Sequence, residues 1–152
     1  MAPRIDDLGI QRRQRWLEIG IKRSSAQIND LYTKDELLSK QVVVVVNLLP
    51  SHQNPIDNEE FLVAENNMDY IHIPVDWDNP KETDFNSFVI AMKKHRGEKI
   101  FVHCAKNMRV SAFIYLYRIL HDNFSKEKAK ESMEKIWKPS GTWKEFIQKI
   151  LD

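Results

Sequence analysis

The sequence has a single cysteine, Cys104, among its 152 residues, which excludes a disulfide within the chain. Its stability must therefore come from packing, and a reducing compartment is the simplest expectation. It also lacks a long apolar run, because VVVVVNLL at 42–49 is far too short to cross a bilayer. The polar stretch at 1–16 has no apolar core of the kind that a signal peptide carries. We expect a cytoplasmic protein.

An excess of charge of one sign is missing too. The 23 Lys and Arg residues against 22 Asp and Glu residues leave a net charge of +1, which gives no reason to expect nucleic acid or membrane as a partner. The five histidines show no metal-ligand spacing and there is no glycine-rich nucleotide loop, so neither a metal nor a cofactor is expected. With 42% hydrophobic residues, the composition indicates one globular domain over 1–152, with 1–15 as an arm or a short packing helix.

Strand and helix patterns alternate along the chain. The β-branched run at 42–48 is typical of a strand buried on both faces, as in parallel sheets. Further strands are predicted at 70–75 and 99–103, with a fourth near 16–23. Apolar spacing predicts helices at 34–40, 58–66, 81–96, 109–122, 125–137 and 142–151. This order indicates a three-layer α/β/α fold around a central, mostly parallel sheet of about four strands.

The cysteine lies where a strand pattern, KIFVH, gives way to a helix pattern that begins at Arg109. Ligands of open parallel sheets bind at the carboxyl ends of strands. The positive end of the following helix is expected to lower the thiol pKa from about 8.5 to roughly 3.5–7.5. Arg109 supplies a planar cation for two oxyanion oxygens, and the amides of 105–108 can surround an anion. A nucleophile, a cation and an anion cradle in one turn indicate phosphoryl transfer to Cys104.

This segment, VHCAKNMRVSAF at 102–113, resembles the signature of cysteine-dependent phosphatases of the protein-tyrosine-phosphatase-like superfamily, and most closely that of small bacterial phosphatase-like domains. The signature is His-Cys, five residues, Arg, then Ser or Thr. The resemblance implies a phosphate-monoester hydrolase of the protein-tyrosine or dual-specificity type that forms a cysteinyl-phosphate on Cys104. Its substrate would be a phosphorylated protein or a small phosphate ester. The phosphate-binding loop would comprise His103, Ala105, Lys106, Asn107, Met108 and Ser111.

The loop departs from that signature in two ways. Four residues, not five, separate Cys104 from Arg109, although Ser111 keeps the usual distance of seven from the cysteine. Either the loop has lost a residue or Arg109 has moved one place forward. The loop also lacks the usual glycine, and Asn107 is the residue expected to take a left-handed backbone in its place.

Other loop side chains have competing interpretations. The resemblance implies that His103 steadies the loop and tunes the thiolate, and does not act as the acid. Ser111 either hydrogen-bonds the Cys104 sulfur or bonds back to its own helix. Lys106 is either a phosphate contact or a solvated charge.

The segment HIPVDWDNPKETDF at 72–85 offers the proton donor that a phosphate leaving group needs. In the resembled enzymes the acid lies on a mobile loop after a strand and shortly before a proline. Asp76, four residues before Pro80, is therefore the first candidate, and Asp78 is the second. The alternative is ordinary turn chemistry, with Thr83 or Asp84 capping the next helix.

Two other functions fit parts of the pattern. Rhodanese-like sulfurtransferases also place a cysteine between strand and helix, often four residues before an arginine. The histidine before the cysteine and the tail SKEKAKESMEKIWKPSG at 125–141 do not resemble them. The other alternative is a pseudophosphatase that binds phosphate or phosphoproteins without turnover. The sequence leaves the oligomeric state open.

Overall fold

A computed structural model describes residues 44–53 and 58–152 in full, together with the backbone of three strands nearer the N-terminus. Those strands are β1 (Pro3–Ile5), β2 (Arg15–Ile19) and β3 (Lys22–Ser25). The other strands are β4 (Val44–Asn47), β5 (Asp69–His72) and β6 (Ile100–His103). The helices are α1 (Glu59–Glu65), α2 (Glu82–Lys94), α3 (Met108–His121), α4 (Lys126–Glu134) and α5 (Gly141–Leu151), with a 3₁₀ turn at Ser51–Gln53.

The six strands form one sheet in the order β1-β2-β3-β6-β4-β5. Strands β3, β6, β4 and β5 pair in parallel, which confirms the predicted parallel sheet and the α/β fold. The stretch 16–23 was predicted as one strand, and this was wrong, because β2 and β3 are separate antiparallel strands. Pro3–Ile5 pairs with β2 as a third antiparallel element, whereas the predicted helix at 34–40 lies outside the described residues.

Alternate residues of the buried strands face opposite sides of the sheet, which produces two cores. Val44 and Val46 pack in one cluster with apolar residues of α2, α3, α4 and α5. Val45 and Phe101 pack on the other side with Val63 of α1. The described helices therefore cover both faces of the sheet, which gives the predicted three layers.

Helix α3 is the most deeply buried helix, because every residue from 109 to 118 is buried. It shares one apolar cluster with the sheet and with α4 and α5, and this explains an apolar run with almost no polar face. Its N-terminus lies at the carboxyl end of β6. No helix in the described part of the chain combines the length and the apolarity that crossing a membrane requires.

The backbone pairing of β4 with the chain after β5 continues as far as Val75, so the next loop begins at the carboxyl end of the sheet. The Ile73 amide donates to the Asn47 carbonyl at 2.9 Å, and the Val75 amide donates to the Leu48 carbonyl at 3.0 Å. The Leu48 amide in turn donates to the His103 carbonyl at 2.9 Å. The segments that follow β4, β5 and β6 therefore meet at one edge, which is where the sequence places the cysteine and the two aspartates.

Candidate active site

Cys104 follows β6 directly and lines a cleft of about 460 Å³. The residue is only 2% exposed, so its sulfur is in the wall of the cleft rather than on the open surface. The other residues around this cleft are Gln53, Trp77, Asp78, Ala105, Lys106, Met108 and Arg109. The structure thus brings most of the predicted loop together with one of the two predicted acids.

The loop after β6 wraps the sulfur in backbone amides. The N–H groups of Lys106, Asn107 and Val110 each donate a hydrogen bond to Cys104. Asn107 makes this possible by adopting φ +66°, the left-handed conformation that the missing glycine would ordinarily provide. The predicted role of Asn107 in the backbone is confirmed.

Arg109 reaches the thiol despite the short spacing. Its guanidinium donates a hydrogen bond to the Cys104 sulfur, and Nη2 donates to Oε1 of Gln53 at 3.1 Å. The guanidinium carbon lies 5.4 Å from the ring centroid of Trp77, within the range of a cation–π contact. Its buried Nε–H has no hydrogen-bond partner among the described residues, so one donor of the fork is not used by them.

Burial dominates the electrostatics of the pair. Loss of hydration raises the pKa of the Cys104 thiol, and the amide hydrogen bonds and the Arg109 charge offset only part of that effect. The expectation of a lowered thiol pKa was therefore wrong, because it considered the helix end and not the burial of the sulfur. Burial also lowers the pKa of Arg109, against the opposing charges of Cys104, Asp76 and Asp78. A guanidinium still stays protonated in proteins.

A buried polar network lies behind the loop. Nε2 of His103 is 2.5 Å from Oε2 of Glu59, and these residues are 2% and 5% exposed. Oε1 of the same carboxylate accepts hydrogen bonds from Asn47 Nδ2 at 3.0 Å and from the Tyr70 hydroxyl at 3.1 Å. Burial raises the pKa of Tyr70, so its hydroxyl remains a donor. The network joins β4, α1, β5 and β6, and it fixes the ring of the residue before the cysteine.

Ser111 hydrogen-bonds to its own helix, which confirms the second of its two interpretations. Its hydroxyl donates to the Met108 carbonyl at 2.8 Å and accepts from Trp137 Nε1 at 3.0 Å. The hydroxyl hydrogen is therefore directed to Met108 and not to the Cys104 sulfur. Lys106 is exposed at the rim of the cleft.

The two candidate acids lie on the loop after Val75 and differ in their surroundings. Asp78 lines the cleft, whereas Asp76 accepts a hydrogen bond from the Asp78 amide at Oδ1, at 2.9 Å. Both carboxylates lie close enough to Arg109 to raise its pKa. Asp84 is used otherwise: its Oδ2 accepts from the Lys81 amide at 3.0 Å and caps α2, which confirms the turn interpretation for that residue.

Sequence reasoning missed four residues around this site. Gln53 and Glu59 hold Arg109 and His103, and Trp137 and Trp143 bond to the helix start and to the acid loop. Their partners are far away along the chain, as in the separation of 44 between Glu59 and His103 and of 66 between Trp77 and Trp143. No local pattern marks such contacts.

A cysteine loop between a parallel strand and a buried helix, closed by an arginine, is found in protein-tyrosine-phosphatase-like folds, and solved structures of that class are similar to this chain. TpbA of P. aeruginosa, solved in complex with phosphotyrosine, is similar with a TM-score of 0.65 at 19% identity, over 80% of this chain and 72% of that one. The core catalytic domain of the PP-IP phosphatase SIW14 of S. cerevisiae is similar with a TM-score of 0.69 at 13% identity, over 88% and 83%. These likenesses confirm the fold.

A proposed phosphatase of the DUF442 family from Shewanella putrefaciens CN-32 is more similar in sequence. It shares 31% identity and a TM-score of 0.77 with this chain, over 89% of both chains. The chain therefore belongs to the DUF442 family, and its fold is the protein-tyrosine-phosphatase-like fold whose signature the loop resembles. No family model and no curated protein matches it.

Proposed function

We propose that this chain hydrolyses phosphate monoesters through a cysteinyl-phosphate intermediate on Cys104. The observation that carries the proposal is the convergence on one sulfur of three backbone N–H donors and the Arg109 guanidinium, at the wall of a cleft. Donors that surround a sulfur nucleophile are also placed to bind the oxygens of a phosphoryl group attached to it. Membership of the DUF442 family supports the same reaction class.

The first step forms a bond from sulfur to phosphorus. Because burial favours the thiol, the reactive form of Cys104 is its ionised fraction, whose proton has passed to solvent. This thiolate attacks phosphorus, the bond from phosphorus to the ester oxygen breaks, and its electron pair leaves with that oxygen. Arg109 and the loop amides stabilise the equatorial oxygens, on which the negative charge resides. In the second step water attacks phosphorus and the sulfur leaves as thiolate, which releases inorganic phosphate.

We propose Asp78 as the proton donor to the departing oxygen, because it is the candidate that lines the cleft. In the second step the same carboxylate accepts the proton of the attacking water. Asp76 would then support it, since its Oδ1 already accepts the Asp78 amide. Parallel Asp76→Asn and Asp78→Asn variants decide between them, because only loss of the donor selectively slows esters with poor leaving groups.

The substrate class is proposed as a phosphorylated protein or a small phosphate ester. Two similar structures support one substrate class each: TpbA was solved with phosphotyrosine, and SIW14 is a PP-IP phosphatase. In this chain, exposed Lys106 and the aromatic ring of Trp77 border the cleft. A cation and an aromatic ring at the rim fit an anionic ester with an aromatic or sugar-like leaving group.

The test is hydrolysis of p-nitrophenyl phosphate by the wild type, by Cys104→Ser and by the exposed-surface control Glu60→Gln. We expect activity in the wild type and the control and none above background in Cys104→Ser. Sulfur transfer from thiosulfate to cyanide would instead indicate a sulfurtransferase. Binding of vanadate without either activity would indicate a pseudophosphatase, and either result would reject the proposal.

A further inference from the structure

Three of the four tryptophans of the chain cluster beside the candidate active site, and one of them, Trp77, lines its cleft. The ring centroids of Trp77 and Trp137 are 5.4 Å apart, those of Trp77 and Trp143 are 5.4 Å apart, and those of Trp137 and Trp143 are 6.3 Å apart. Trp77 is the residue between the two candidate acids. Because the other two rings come from the C-terminal part of the chain, that part reaches the acid loop directly.

Each of the two C-terminal tryptophans makes a directed hydrogen bond to a different part of the site. Trp137 Nε1 donates to Ser111 Oγ at 3.0 Å and to the Met108 carbonyl at 3.2 Å, and so contacts the start of α3. Trp143 Nε1 donates to the Trp77 carbonyl at 2.8 Å, and so contacts the acid loop. The two indoles are therefore a natural pair for comparison.

Trp143 is itself held firmly. It is 2% exposed, and its ring lies 6.2 Å from that of Phe113 on α3 and 5.5 Å from that of Phe146 on α5. A side chain fixed by the core in this way keeps its N–H in one direction. The acid loop is therefore bonded to a donor, Trp143 Nε1, that belongs to the buried core.

The peptide group between Trp77 and Asp78 is bonded at both of its polar ends. Its carbonyl oxygen accepts from Trp143 Nε1 at 2.8 Å, and its N–H donates to Asp76 Oδ1 at 2.9 Å. These two bonds fix the plane of the peptide, and the plane sets the directions in which the flanking side chains leave the backbone. On one flank the Trp77 ring lies over Arg109, and on the other Asp78 lines the cleft.

We propose that Trp143 is a positioning residue that holds the Trp77–Asp78 peptide in the orientation needed for proton donation by Asp78. This assignment rests on the proposed function. It concerns mainly one step: the Trp143 N–H donates to the Trp77 carbonyl, so its loss should affect protonation of the leaving group more than anion binding. Trp137, which bonds to the start of α3, has no such selective role.

The experiment compares two esters that differ in their need for an acid. The leaving group of p-nitrophenyl phosphate departs readily without a proton, whereas that of phenyl phosphate needs one, and kcat/KM reports this first chemical step. Trp143→Phe keeps an aromatic ring and removes the N–H donor. We expect it to lower kcat/KM for phenyl phosphate about tenfold more than for p-nitrophenyl phosphate, a part of the 10²–10⁴-fold effect of a general acid. Trp137→Phe should change both esters by the same factor.

A double-variant cycle tests the coupling to the acid. In an Asp78→Asn background the selective effect of Trp143→Phe should disappear, because there is no longer a donor to position. The assignment is overturned if Trp143→Phe affects both esters equally, or if its selective effect persists in Asp78→Asn. If the wild type hydrolyses neither ester, the proposed function fails and the assignment falls with it, which is a different result from an active wild type with equal losses.

Folding of the variants is checked by circular dichroism. Should Trp143→Phe fail to fold, Trp143→3-benzothienylalanine decides by the same criteria, because sulfur replaces only the N–H of the indole and the shape of the ring is kept. A selective loss on phenyl phosphate supports the assignment, and equal losses on the two esters overturn it.

Discussion

The carboxylate of Glu59 should be a major source of stability, although it lies outside the cleft. Three donors converge on it: His103 Nε2 at 2.5 Å, Asn47 Nδ2 at 3.0 Å and the Tyr70 hydroxyl at 3.1 Å. Glu59→Ala removes the acceptor and leaves His103 buried without it. Leaving a buried donor without its acceptor typically costs about 1–3 kcal/mol. The Asn47 and Tyr70 side chains can still bond to each other at 3.0 Å, so we add nothing for them.

Urea unfolding measures this effect. With a typical slope of about 2 kcal/mol per molar, a loss of about 1–3 kcal/mol lowers the unfolding midpoint by roughly 1 M. Glu59→Gln keeps one acceptor oxygen and the shape of the side chain, so it should lose clearly less than Glu59→Ala. The matched control is Glu60→Ala, an exposed residue on the same helix turn, which should stay within about 0.5 kcal/mol of the wild type.

Two results would refute this reasoning. One is a Glu59→Ala variant within about 1 kcal/mol of the wild type, which would mean that water or a rearrangement satisfies the donors as well as the carboxylate does. The other is equal destabilisation by the alanine and glutamine variants. That result would assign the loss to packing rather than to the acceptor oxygens.

Three further predictions concern the loop itself. Because burial raises the pKa of Cys104, the thiol stays protonated to higher pH than a free cysteine. Its rate of alkylation by iodoacetamide should therefore rise with a midpoint above about pH 8.5. A lower midpoint would show that the amides and Arg109 outweigh burial. Arg109→Lys keeps the positive charge but loses the planar guanidinium that bonds Gln53 and the sulfur. Calorimetry should show vanadate binding about 10- to 100-fold more weakly. Equal affinity would argue against a role for the guanidinium geometry. Asn107→Ala and Asn107→Gly both remove the amide side chain, but only alanine is strained at φ +66°. The free energy of unfolding should therefore be about 1 kcal/mol lower for the alanine variant than for the glycine variant. Equal stability would contradict the need for a residue that tolerates a left-handed backbone.

Much of the fold was predictable because its signals are local. The spacing of Phe85, Phe88 and Met92 predicted a buried helix face, and all three are buried in α2. The β-branched run before Asn47 predicted a strand buried on both faces, and β4 is fully buried. The hairpin β2–β3 was missed because the run at 16–23 was taken as continuous, although its Gly20 is the kind of residue that separates two strands.

The site was predictable only as far as the loop is contiguous. Cys104, Arg109 and Asn107 are neighbours in sequence, and their contacts follow from one strand–helix junction. The direction of the thiol pKa was not predictable, because it depends on how much water the rest of the fold removes from the sulfur. The roles of the catalytic residues and the extent of the domain over 1–152 stay predictions.

The clustering of Trp77, Trp137 and Trp143 has an optical consequence. Since only one further tryptophan exists in the chain, most of its indole rings lie together beside a single cleft. A compound that enters beside Arg109 alters the surroundings of the Trp77 ring, and the emission spectrum reports that event without dye or label. Colourless compounds can thus be screened against this chain by their own effect on its fluorescence.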